Sequence, residues 1–144
     1  MSSVKTAAEY VKERDAMIRA GAQILSDVLV PAGFHFEPRR GGIGSGGAFA
    51  HGQFVRGDRR LEIHFRDTLG LISYHLGKQQ VSHQDYLKCL GVYGRHHYPD
   101  FPNDPLESFH ALAKDLSLFF EDFLTGDGSL LLACAADPPK PSLP

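Results

Sequence analysis

Three histidines and one glutamate, His51, Glu62, His64 and His75, are spaced so that a β-meander gathers them on one face. Imidazole nitrogens and a carboxylate in mutual reach can bind zinc or a similar ion, or perform general acid–base chemistry. Their placement follows from two turns. With Gly57-Asp58 at the centre of one hairpin turn, His51 faces His64 and Gln53 faces Glu62. With Thr68-Leu69 at the centre of the next, Glu62 faces His75 and His64 faces Ser73. The apolar residues agree, because Phe54 then meets Leu61, Leu61 meets Leu76, Ile63 meets Tyr74 and Phe65 meets Ile72. A slip of one residue would turn all of them to the wrong face. Directly opposed Cβ atoms lie about 4.5–5.5 Å apart. Such a patch is expected to take up a metal while its imidazoles are neutral and to lose it on acidification. Ions that accept imidazole suit it better than calcium or magnesium. The plainer reading is a solvated sheet face whose charges pair across strands, and no HxH or HExxH spacing strengthens the metal reading.

The elements that must position this patch are legible along the chain. Arg59–Gly77, RRLEIHFRDTLGLISYHLG, alternates apolar and polar residues around a tight turn, as a half-buried antiparallel pair requires. Upstream, Thr6-Ala-Ala-Glu9 has the form of a capping box. The helix it opens carries Val11, Ile18, Leu25 and Val28 at helical spacing and stops at Pro31. Gly33–Phe36 begins an extended segment. Arg39–Gly47, RRGGIGSGG, is expected to be a flexible loop, since glycine dominates it. Ala48–Arg56 is the next strand.

Downstream, Ser82 and Asp85 bracket the start of a short helix that runs to Leu90. Gly91–Asn103 is a loop of aromatic residues and prolines. Asp104-Pro105-Leu-Glu107 is a strong helix start, with Asp104 as cap and Pro105 at the first helical position. The stripe Leu106, Phe109, Leu112, Ala113, Leu116, Phe120 and Phe123 follows, and Gly126 stops it. Ser129–Ala136 fits strand or helix equally. The sum is an α+β fold: an antiparallel meander of about four strands with N-terminal and C-terminal helices packed on one face. Residues 1–136 form one domain, and the proline-rich 137–144 are expected to be disordered.

Composition narrows the function. At 144 residues and 42% apolar residues, the chain has the balance of an ordinary globular domain with a real core. A net charge of −2 gives no footprint for nucleic acid or an anionic membrane. The longest apolar run, Leu130–Ala136, is too short to span a bilayer, and the polar N-terminus does not read as a signal peptide. Cys89 and Cys134 stand far apart in apolar settings and are expected to be reduced core thiols of a cytoplasmic protein.

Other motifs carry less. Gly42-Ile-Gly44-Ser-Gly-Gly47 fits GxGxxG, but an extended segment follows where a phosphate-binding loop needs a helix. Arg56-Gly57-Asp58 reads as the hairpin turn. Arg95-His96-His97-Tyr98, in a loop with Tyr93 and Phe101, has the composition of a protein-binding surface, where Tyr and Arg serve as anchors. The alternative is that these rings cover one end of the core. No Ser-His-Asp or Cys-His arrangement can be assembled from local spacing.

The first helix ending in LVPAGFHF, the meander containing RRLEIHF, and SHQDYLKCL…YPDFPNDPLESFHALAKDL together resemble small bacterial helix–meander–helix domains, some of them immunity-protein-like. The resemblance covers roughly residues 5–126 and carries no functional residues with it. With no catalytic signature, moderate charge and no cofactor motif, the expectation is a non-enzymatic, protein-binding module of the bacterial cytoplasm, immunity-like or accessory, without a cofactor. The competing expectation is a small metal-dependent or acid–base enzyme using the histidine patch, with zinc as the cofactor.

Overall fold

The computed structural model describes residues 4–45, 47–99 and 104–136. The chain runs α1 (Ala7–Leu29), β1 (His35–Gly44), β2 (Gly47–Arg56), β3 (Arg59–Phe65), β4 (Leu69–Leu76), β5 (Gln79–Ser82), α2 (His83–Cys89), α3 (Leu106–Phe119), α4 (Glu121–Leu124) and α5 (Ser129–Ala136). The five strands form one antiparallel meander in chain order, so the fold is α+β with one strand more than expected. β5 escapes a reading by alternation because its four residues carry a single buried apolar side chain, Val81. The proline-rich 137–144 and the end of the Gly91–Asn103 loop lie outside the described residues.

Thr6 and Glu9 form the capping box of α1. Ile18, Ala22, Leu25 and Leu29 bury its inner stripe. That stripe and α3 pack on the sheet face made by Phe54, Leu61, Ile63, Phe65, Ile72 and Tyr74, all buried. α1 crosses α3 at Gly21, where a Cβ would stand 2.3 Å from the Phe109 ring. Glycine is what permits this approach. The α3 side of the core is Phe109, Leu112, Leu116 and Phe120, each with no exposed surface.

Arg39–Gly44 is not a loop but the second part of β1, and Gly47 opens β2. Its glycines let it pair closely: a Cβ on Gly41 would stand 2.5 Å from the Phe49 carbonyl. The extra residue is absorbed by a bulge, since Arg39 pairs with His51 and Gly42 with Phe49. No helix follows the glycines, so the GxGxxG spacing has no phosphate-binding geometry.

The C-terminal part is more broken than its apolar stripe implies. α3 starts at Leu106, so Pro105 and not Asp104 stands at the N-cap, one position off the expected start; the Asp104 carboxylate still accepts the Leu106 N–H at 3.0 Å. Phe120 then leaves helical geometry, at φ −109° and ψ 30°, and separates α3 from α4. Ser129–Ala136 is helical. The Asp122 carboxylate organises its start by accepting the Leu130 and Leu131 N–H groups and the Tyr86 hydroxyl.

Cys89 and Cys134, expected to be reduced and apart, are joined in a disulfide with Cα atoms 5.8 Å apart. The helical state of residues 129–136 decides this, because it lays α5 beside α2 and β5. Among the described residues no helix is long and apolar enough to cross a membrane.

Candidate metal centre on the polar face of the sheet

The face of the sheet turned away from α1 and α3 carries Glu37 and Arg39 on β1, then Phe49, His51 and Gln53 on β2. It continues with Arg60, Glu62 and His64 on β3, Arg66 just beyond the end of that strand, and Leu71, Ser73 and His75 on β4. These are the polar alternates of strands whose other residues fill the core. The β2–β3 register is the one the Gly57-Asp58 turn implies. His51 pairs with His64, Gln53 with Glu62, and Phe54 with Leu61.

The β3–β4 register differs from the expected one by two residues. Glu62 pairs with Ser73, Leu61 with Tyr74 and Ile63 with Ile72. The connection is wider than a two-residue turn: Phe65 pairs with Leu69, and a bulge lies between that pair and Ile63 with Ile72. A shift of two leaves every side chain on its face, so the patch survives with changed neighbours.

His51 and His64 stack with ring centroids 4.1 Å apart and 14° between their planes. One ligand atom from each of His51, Glu62 and His64 lies within 4.8 Å of the other two. A tetrahedral zinc ion with bonds of about 2.0–2.2 Å places its ligand atoms roughly 3.4 Å apart, so the three side chains would have to draw together to hold one. Nε2 of His51 is buried with no hydrogen-bond partner among the described residues. Burial pushes the His51 imidazole below its ordinary pKa, and the neighbouring His64 adds to this. Burial does the same to His64, against the pull of Glu62. Both rings are therefore biased to the neutral form that ligates a metal.

His75 reaches Glu62 but does not join the group. Its Nδ1 accepts from Arg60 at 3.2 Å, and its Nε2 faces Ser73 at 3.0 Å and Glu62 at 3.6 Å. Glu62 also pairs with the Arg60 Nε at 3.0 Å. A metal at this point would draw Glu62 partly away from Arg60.

The Arg95–Tyr98 segment is divided between surface and core. Arg95 lies over the Phe119 ring, and His96 stacks on Tyr93. Tyr98 is buried, and its hydroxyl donates to the Leu69 carbonyl at 2.8 Å. The His97 and Tyr98 backbone N–H groups both donate to the Asp115 carboxylate, at 2.7 and 2.8 Å. His97 Nδ1 adds a third contact at 3.1 Å, and His83 Nε2 a fourth at 3.3 Å. The other nitrogen of His83 faces the Tyr74 hydroxyl at 2.7 Å.

A carboxylate accepts only, so His83 Nε2 carries the proton and Nδ1 accepts from Tyr74. Burial opposes charge on Asp115, yet these four donors hold its carboxyl below the usual range. Both Asp115 oxygens and both His83 nitrogens are engaged, which makes the chain a clamp between the loop, α2 and α3. Sequence reasoning missed it. One signal was present, because Asp115 sits three residues after Leu112, where the buried face of α3 must return.

Comparison with protein-family models, with curated proteins and with solved structures found no match.

Proposed function

We propose that this protein is a binding module that takes up one transition-metal ion on the polar face of its sheet, through His51, Glu62 and His64. The observation that carries the reading is the convergence of two neutral-biased imidazoles and a carboxylate, one imidazole nitrogen being buried and unpartnered. Two nitrogens and one oxygen suit zinc and its neighbours, not calcium or magnesium. Three protein ligands leave a coordination position for water or another molecule. The reading favours binding over catalysis, because the other histidine–carboxylate group, around Asp115, has its donors and acceptors committed to one another.

Isothermal titration with zinc at neutral pH tests it, on protein purified without an affinity tag. One site is expected. The pair His51→Ala and His64→Ala should abolish it, Glu62→Gln should weaken it, and His75→Ala should leave it largely in place. Absence of zinc binding by the wild-type protein would end this reading.

A further inference from the structure

His64 does more than face His51. It also lines an open cleft of about 560 Å³ at the β3–β4 end of the sheet, with Phe49, Arg66, Asp67, Gly70 and Leu71. That volume lies within the usual range for small-molecule sites. The walls are largely apolar, and Leu71 is 79% exposed. The charged groups among them are unequal. Asp67 points to Arg14, 3.6 Å away. Arg66 lies with its guanidinium 5.7 Å from the centre of the Phe49 ring, and it makes no ion pair among the described residues. His64 and Arg66 both line this cleft, Arg66 immediately following the end of β3.

Charge states what the cleft would accept. A divalent ion on His51, Glu62 and His64 keeps one net positive charge after Glu62 is counted. Arg66 adds a second beside it, and Arg39 pairs with His51 across the strands. A cation with an open position, next to a guanidinium and an apolar hollow, calls for an anion with an apolar body.

Resting on the metal reading, we propose that the cleft binds a small organic carboxylate carrying an aromatic or branched apolar group. One carboxylate oxygen takes the open position on the metal and the other accepts from Arg66. The apolar group lies against Phe49 and Leu71. No covalent step is involved.

Cobalt(II) loaded in place of zinc reports its coordination through its visible spectrum. Benzoate, acetate and benzyl alcohol are titrated into the cobalt-loaded protein and into metal-free protein. Benzoate is expected to shift the cobalt bands saturably, acetate to bind about tenfold more weakly or worse, and benzyl alcohol to leave the bands unchanged. Arg66→Gln should retain cobalt and its thermal melt while weakening benzoate about tenfold. Leu71→Ser, at an exposed position, should weaken benzoate without weakening acetate.

Failure to load cobalt would overturn the metal reading and this inference together. Normal cobalt loading with no benzoate response would overturn this inference alone. So would equal affinity for acetate and benzoate, equal benzoate binding without metal, or an Arg66→Gln protein that binds benzoate as the wild type does.

Discussion

His51 and His64 lie ring on ring, 4.1 Å apart, on directly paired positions of β2 and β3. Two imidazoles this close cannot both be charged without repulsion, and burial already disfavours charge on each. Metal binding needs both neutral. Zinc affinity should therefore be steady near neutral pH and fall steeply below about pH 6, as two ligand protonations compete with the ion. Titrations across that range check it. An affinity independent of pH down to about 5 would exclude histidine ligation.

The Tyr74–His83–Asp115–His97 chain should make stability depend on acid. Burial keeps the His83 pKa below its ordinary value despite Asp115 beside it. Below about pH 6.5 the unfolded chain takes up a proton there that the folded protein resists, so stability falls as pH drops. Asp115 extends the loss. Its lowered folded-state pKa contributes stability that is whole above about pH 3.9 and disappears as pH falls through the folded value. Denaturant unfolding from neutral pH to about 5 should show the decline. His83→Gln should flatten part of it, the remainder belonging to His51, His64 and His75, which burial also pushes down.

Replacing Asp115 by alanine removes an acceptor with no exposed surface and strands the His97 and Tyr98 N–H groups and His83. The expected cost is about 3 kcal/mol or more. Equilibrium unfolding that finds less than about 1 kcal/mol would mean water replaces the carboxylate without penalty.

Reduction of Cys89–Cys134 should destabilise the fold. The bond closes a sequence separation of 45 residues, for which chain entropy gives roughly 4 kcal/mol as an upper value. Unfolding with and without reductant measures the difference, and the double alanine variant should match the reduced protein. Two free thiols in air-oxidised protein, counted by mass spectrometry after alkylation, would remove the pairing.

Phe120 stacks on Tyr74 with centroids 4.9 Å apart and meets Tyr86 edge-on at 4.8 Å. Its truncation to alanine should cost on the order of 3–5 kcal/mol. Gly21→Ala should cost about 1–3 kcal/mol by forcing α1 away from the Phe109 ring. Denaturant titration showing neither effect would misplace the helical layer of the core.

Alternation in Arg59–Gly77 was enough by itself to determine which residues of β3 and β4 face the core. The β2–β3 register followed too, because a tight Gly57-Asp58 turn leaves one pairing that buries Phe54 against Leu61. Capping chemistry at Thr6, Ser82 and Asp104 marked three helix starts for the same reason: the signal is local. The rest depended on contacts between distant segments. Glycines in β1 read as a loop until Phe49 and Ala50 stand close enough to require them. The β3–β4 register moved by two residues because the turn closes on Phe65 and Leu69 instead of around Thr68-Leu69, a bulge, which has no fixed sequence signature, returning one residue of that shift. Only the tertiary structure brought Cys89 to Cys134, laid His83, His97 and Tyr98 around Asp115, and set an unpaired Arg66 beside His64 at the mouth of a cleft. The periodicity of one segment carries no information about which remote segment will pack against it. Those placements are fixed by the packing of helices on the sheet, where burial and hydrogen-bond satisfaction are decided for all segments at once.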